Sequence, residues 1–132
     1  MSNEFSWGER SIEALSTVSA PLVVVANAVL ARSRIDFAIL WGYRDKAQQT
    51  KFFNNGTGLP YGKSKHNRVN MVSGEPESYA IDFAPVPIVW DKIEDFYYIG
   101  GLFLRTGHEL GVPLIWGGHW DKRDLGHIER RD

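Results

Sequence analysis

Ser64-Lys65-His66 and, after a polar excursion, Ser78-Tyr79-Ala80-Ile81-Asp82-Phe83 form the stretch from which the rest of the chain is read. A histidine opens it. An aspartate closes it, set inside a short apolar run that has the composition of a strand. Near the C-terminus, Asp124-Leu125-Gly126-His127 supplies a second histidine and a further carboxylate. Two imidazoles and one carboxylate are a common ligand set for catalytic zinc, leaving one coordination position for water. Another carboxylate beside that water would serve as general base.

Bulk properties narrow the alternatives. A chain of 132 residues is expected to be one domain, residues 1–132, with a single core and no separate wall-binding or other module. A formal net charge of −1, with no block of Lys and Arg interleaved with aromatics, gives no support for nucleic-acid binding or an anionic membrane surface. Cysteine is absent, which removes disulfides, thiolate zinc knuckles and thiol nucleophiles together. Any metal site must therefore be built from His, Asp and Glu. Met1-Ser2-Asn3-Glu4 lacks the basic and apolar regions of a signal peptide. The longest apolar stretch, Ala20 to Ala31, is interrupted by Asn27 and too short to span a bilayer, so stable membrane insertion is not expected.

Outward from the opening stretch, hydrophobic period and turn residues set the elements. Glu9 to Thr17 reads as a short helix with Ile12 and Leu15 on one face. Ser19 and Pro21 mark the start of a second, with Leu22, Val25, Ala26, Val29 and Leu30 at core spacing. Asp36 to Trp41 suits a buried strand. Asp45 with Gln48 forms a capping-box signal for a helix to about Asn54, ended by Gly56 and Gly58. Arg44 then stands at a strand-to-helix junction, from which it either points into a cleft or lies on the surface.

Gly56 to Glu77 reads as an ordered loop, and loops of this length in a compact domain are often functional. Tyr79 to Phe83 is a strand, which Ala84-Pro85-Val86-Pro87 is expected to stop. A second capping-box signal, Asp91 with Glu94, opens a long helix ending at Gly111, with Ile93, Phe96, Tyr97, Gly100, Phe103, Leu104 and Leu110 as its packing face. Leu114-Ile115-Trp116 and His127-Ile128-Glu129 are two short strands around a turn rich in Gly, Trp and charge. The fold class is α+β: a small antiparallel sheet bearing the ligands, with helices packed on one side.

Of the four histidines, His108 falls in a last helical turn, where it complements the helix dipole. His119, between Gly118 and Trp120, could be a ligand, a substrate contact or a solvated loop residue. His66 and His127 are more specific, because each has polar partners of the right type at close spacing. Ser-x-His, Ala-x-Asp in a strand, Trp-Gly-Gly and Asp-x-x-His together resemble the M15 zinc peptidases, and within them the branch of phage peptidoglycan endopeptidases. The resemblance spans nearly the whole chain, including Gly42-Tyr43-Arg44 with Gln48, Leu110-Gly111-Val112 and Trp116-Gly117-Gly118.

That resemblance implies the fold shared by D-Ala-D-Ala carboxypeptidases and Hedgehog domains. Residue by residue it implies His66, Asp82 and His127 as ligands of Zn2+, Asp124 as catalytic base and Arg44 as the cation facing the developing oxyanion. Gln48, Ser64 and Trp116 would be substrate-binding. Asp121 is the competing base, less favoured for its wider spacing from His127. An extra segment of about Asn67 to Glu77 departs from the compact family pattern, Ser78 replaces its usual glycine, and His119 replaces the acidic residue that usually follows Trp-Gly-Gly.

The implied activity is hydrolysis of the L-alanyl–D-glutamate bond of peptidoglycan by a phage or prophage endolysin. Its partner would be bacterial peptidoglycan and its state a monomer. The family further implies that it waits in the host cytoplasm until a holin lets it into the periplasm. The competing readings are a D-alanyl-D-alanine carboxypeptidase or dipeptidase, and a zinc-stabilised binding module without turnover. Retention of both Asp124 and Arg44 speaks against the latter.

Overall fold

Among the described residues, eighteen buried apolar side chains gather in one core between a four-stranded sheet and the helices packed on it. The computed structural model describes residues 4–132, so Met1 to Asn3, read above for a leader, lie outside the described residues. In chain order the elements are α1 (Glu9–Leu15), α2 (Ala20–Arg32), β1 (Phe37–Trp41), α3 (Lys46–Asn54), β2 (Ala80–Pro85), α4 (Ile93–Glu109), β3 (Leu114–Trp116) and β4 (His127–Arg130). Single 3-10 turns cover Lys65–Asn67 and Gly117–His119.

The sheet order is β1-β2-β4-β3 and every pair is antiparallel. Period-two alternation divides its side chains. Ile81 and Phe83 of β2, with Ile39 and Ile128 beside them, point toward α2 and α4 and are fully or almost fully buried. There Phe83 stacks on Phe103 with ring centroids 5.6 Å apart, and Phe96 lies 5.9 Å away. Burial of each such ring stabilises the fold by roughly 1.5–3 kcal/mol. Asp82, between these core residues, necessarily faces the other way, opposite Trp41 on one side and His127 on the other. One face of β2 thus builds the core while the other carries the ionisable groups.

The core positions expected of α2 are all buried. In α1 the buried residues are Ser11 and Leu15, while Ile12 is exposed. Ser11 turns inward because its hydroxyl accepts the Ile39 N–H of edge strand β1, at 2.9 Å. Helix α3 lies on the ionisable face, where Phe52 meets Trp41 edge-on at 5.6 Å. Its Asp45–Gln48 capping box is formed as read from the sequence.

The boundaries of α4 and β2 differ from expectation. Helix α4 opens with Lys92 rather than Asp91 as N-cap, without a capping hydrogen bond from its side chain. The Asp91 carbonyl instead takes the Ile93 N–H at 2.9 Å, and the Lys92 ammonium pairs with Asp95 at 3.3 Å. Of the packing face expected for α4, Ile93, Tyr97 and Leu110 are exposed, whereas Ile99 is wholly buried. Strand β2 also continues to Pro85, which pairs with Phe37. Because Phe83 donates to Gly126, the same side of Pro85 lies past the start of β4, so its missing N–H removes no ladder bond.

Candidate metal centre and active site

Backbone hydrogen bonds bring the first two sequence motifs together. The Arg44 N–H donates to the His66 carbonyl at 2.8 Å, and the Asn67 side chain donates to the Arg44 carbonyl at 3.0 Å. In the other direction, His66 Nδ1 lies 2.7 Å from the Gly42 carbonyl, which can only accept. Ser64 caps this turn, its hydroxyl accepting the His66 N–H at 3.1 Å. The turn is held to α3 by Gln49, whose Nε2 donates to the Leu59 carbonyl at 2.7 Å and whose Oε1 accepts from Asn67 at 3.3 Å.

With Nδ1 committed as the donor, Nε2 is the His66 atom left free for another partner. It is buried and has no hydrogen-bond partner. Its neighbour, 3.4 Å away, is Asp82 Oδ2. A buried imidazole nitrogen and a carboxylate oxygen at that separation are placed to share a cation. On the far side of the same carboxylate, His127 Nδ1 lies 3.2 Å from Asp82 Oδ1. One atom each from His66, Asp82 and His127 falls within 4.8 Å of the others, close enough to hold a single metal ion. This N, O, N donor set fits zinc, and cysteine is not needed.

The electrostatics agree. Burial works to raise the Asp82 carboxyl, but the His66 and His127 imidazoles outweigh it and hold it far below the usual carboxylate range. Burial likewise opposes charge on His127, yet Asp82 and Glu129 raise it to about 9. The metal-free centre therefore binds a proton where a metal would displace it.

A model of the phage L-alanyl-D-glutamate peptidase family matches residues 1–131. This chain belongs to that family. The L-alanyl-D-glutamate peptidase of Escherichia phage T5 is 36% identical to it over 130 residues, spanning 95% of this chain and 88% of the relative. The crystal structure of the Serratia marcescens L-Ala D-Glu endopeptidase ChiX superposes with a TM-score of 0.80 at 25% identity, over 97% of this chain and 91% of that one.

Around the His66–Asp82–His127 cluster of the phage peptidase, Arg44 is 7% exposed and forms a short ion pair with Asp82 through Nη2. Its guanidinium carbon sits 3.9 Å from the centre of the Phe52 ring and 5.2 Å from that of Trp41. Desolvation lowers the Arg44 pKa, and the charges of Asp82 and Asp124 oppose that shift. The surface alternative for this arginine is thereby excluded.

Asp124 stands at the rim, linked through its backbone to Gly117 and His127 at 3.0 and 3.2 Å. Solvent reaches one side of it, but protein crowding the other side desolvates the carboxylate and raises its pKa. The Asp82 charge adds to that rise, while His127, His66 and Arg44 oppose it. A Cβ on Gly117 would lie 2.4 Å from the Asp124 carbonyl oxygen, and one on Gly126 would lie 2.4 Å from that of Phe83. Glycine at these places lets the Asp124–His127 turn press against the strands.

The three residues expected to bind substrate occupy different places. Gln48 is exposed on α3, its side-chain oxygen accepting the Asp45 N–H at 2.9 Å. With Trp41, Lys51, Phe52 and Asn55 it lines a cavity of about 240 Å³. Ser64 is the cap of the His66 turn. Trp116 is buried, its indole N–H donating to the Leu125 carbonyl at 2.8 Å and its ring packed edge-on against Tyr97. Its place is in the core beneath the Asp124 turn.

His119 packs edge-on against Trp116, and His108 is exposed at the end of α4. Two neighbours of His127 escaped sequence reasoning. Trp120 covers its ring at 4.9 Å, and Glu129 lies on its Nε2 side. Strand alternation from His127 puts Glu129 on the same face, and that is the signal that could have found it.

Proposed function

We propose that this peptidase is a zinc-dependent endolysin that cuts the L-alanyl–D-glutamate bond of bacterial peptidoglycan stem peptides. The observation carrying the reading is the buried, unpartnered His66 Nε2 turned toward Asp82 and His127, in a chain of this family. His66 Nε2, Asp82 and His127 Nδ1 would hold the ion. Zinc, when bound, supplies Lewis acidity and an activated water.

Asp124 takes a proton from the attacking water onto a carboxylate oxygen and delivers it to the leaving amine nitrogen. Its raised pKa suits a group that must both accept and return a proton. Arg44, fixed between Asp82 and the Phe52 ring, is a stationary cation. In a desolvated cleft its field stabilises negative charge on the scissile carbonyl oxygen, a contribution of about 3 kcal/mol for such a group. Gln48 and the Trp41–Phe52 wall offer an amide and an apolar surface to the peptide on the α3 side.

Among the described residues no helix is long and apolar enough to cross a membrane. Digestion of purified sacculi, with new termini identified by mass spectrometry, tests the reading. New N-terminal D-glutamate is expected. Release of free D-alanine alone would replace it with a carboxypeptidase. Asp124→Ala should keep its zinc and lose about 100- to 10,000-fold in rate; full activity in that variant would remove Asp124 from the mechanism.

A further inference from the structure

The structure assigns to Glu129 the role of a positioning residue for the metal centre, locked in place by Lys65. This rests on the zinc reading above. His127 presents Nδ1 to Asp82 at 3.2 Å, so the orientation of its ring depends on what holds Nε2. That partner is Glu129 Oε1, at 2.8 Å. An ionised carboxylate can only accept, so Nε2 carries the proton and the lone pair is confined to Nδ1, where the ion would sit. A carboxylate behind a ligating imidazole fixes its tautomer and raises its basicity.

Glu129 is itself restrained. Its other oxygen, Oε2, lies 3.4 Å from the Lys65 ammonium, which also makes a short hydrogen bond to the Arg130 carbonyl. Both side chains are largely shielded, at 16% and 21% exposure. Lys65 immediately precedes His66, and its backbone carbonyl accepts the Tyr79 N–H at 3.0 Å, next to the start of β2. One ion pair therefore joins the turn bearing His66 to the strand bearing His127. The carboxylate orients one imidazole ligand directly, and through Lys65 it sets the distance to the other. Neither residue reaches Asp82, and neither is needed to complete the N, O, N donor set, so their contribution is to geometry and basicity.

The test is zinc affinity by competition with a chromophoric chelator, for the wild type, Glu129→Gln, Glu129→Ala and Lys65→Met, alongside thermal melts of each metal-free protein. Glu129→Ala is expected to weaken zinc about 10–100-fold, with Glu129→Gln intermediate because the amide oxygen still accepts from Nε2. Lys65→Met, which frees the carboxylate without removing it, should weaken zinc less than Glu129→Ala. Imidazole nitrogen NMR of the zinc-loaded wild type should show His127 protonated on Nε2 and ligating through Nδ1.

Zinc affinity within about twofold of wild type in Glu129→Ala would overturn the assignment, whatever the melting temperature does. If that variant fails to fold, an unchanged affinity in Glu129→Gln together with ligation through Nε2 overturns it equally. A wild type that binds no zinc would instead defeat the reading on which the assignment rests.

Discussion

His66 Nε2 and Asp82 Oδ2 face each other across 3.4 Å inside the protein, and the imidazole nitrogen has no hydrogen-bond partner. In the metal-free chain the Asp82 charge is met by Arg44 and by protonated His127. Asp82→Asn removes the shared anion. Arg44 is then left buried without its partner, and breaking a buried pair from one side costs about 3–5 kcal/mol. The substitution should lower the melting temperature of chelator-treated protein and abolish stoichiometric zinc. Calorimetry and elemental analysis read the two effects separately. Zinc retained at one per chain would show that the ligand set had been misassigned.

Protonation provides a second handle on the same centre. The His127 pKa is raised to about 9 in the metal-free chain. A raised value means that its stabilisation is fully present below the unfolded-state value of about 6.5 and is lost as pH climbs through about 9. Metal-free protein should therefore lose stability between those limits. Zinc binding near pH 7.5 should expel about one proton, visible as a buffer-dependent heat that fades above pH 9. Melting temperatures flat across this range would mean that Asp82 and Glu129 do not hold His127 in its charged form.

Much of this centre was legible in the sequence because its parts obey local rules. Alternation in Ala80-Ile81-Asp82-Phe83 already says that Asp82 opposes the core, and the Asp45–Gln48 box fixed where α3 begins. The sequence motifs single out residues but do not say which way they point. Trp116 and Ser64 belong to the same constellation as the ligands, yet one is a packing residue and the other a turn cap. The side-chain amides of Gln49 and Asn67 pin the loop before His66 through bonds spanning α3, a pairing that no local spacing announces. The Asp91 box failed by one residue because the chain leaving Trp90 turns so that the Asp91 carbonyl, not its carboxylate, meets the Ile93 N–H.

Gly117 tests whether the placement of Asp124, rather than its presence alone, sets the rate. A Cβ there would lie 2.4 Å from the Asp124 carbonyl oxygen, 3.0 Å from its Cβ and 3.1 Å from the Cβ of His127. None of these is the free end of a flexible side chain, so the whole Asp124–His127 turn must move. Gly117→Ala should cost about 1–3 kcal/mol in stability, the usual range for overpacking. Displacement on the order of 1 Å can cost about 100-fold in rate. At saturating zinc, kcat of the variant should therefore fall at least tenfold, even though His66, Asp82, Asp124 and His127 all remain in the chain. Gly101→Ala is the matched control, since a Cβ at that position in α4 meets nothing within 4 Å. It should stabilise the helix by up to about 1 kcal/mol and leave kcat unchanged. Equal kcat for the two variants would mean that the turn tolerates displacement, and that the contact of Gly117 with Asp124 serves folding alone.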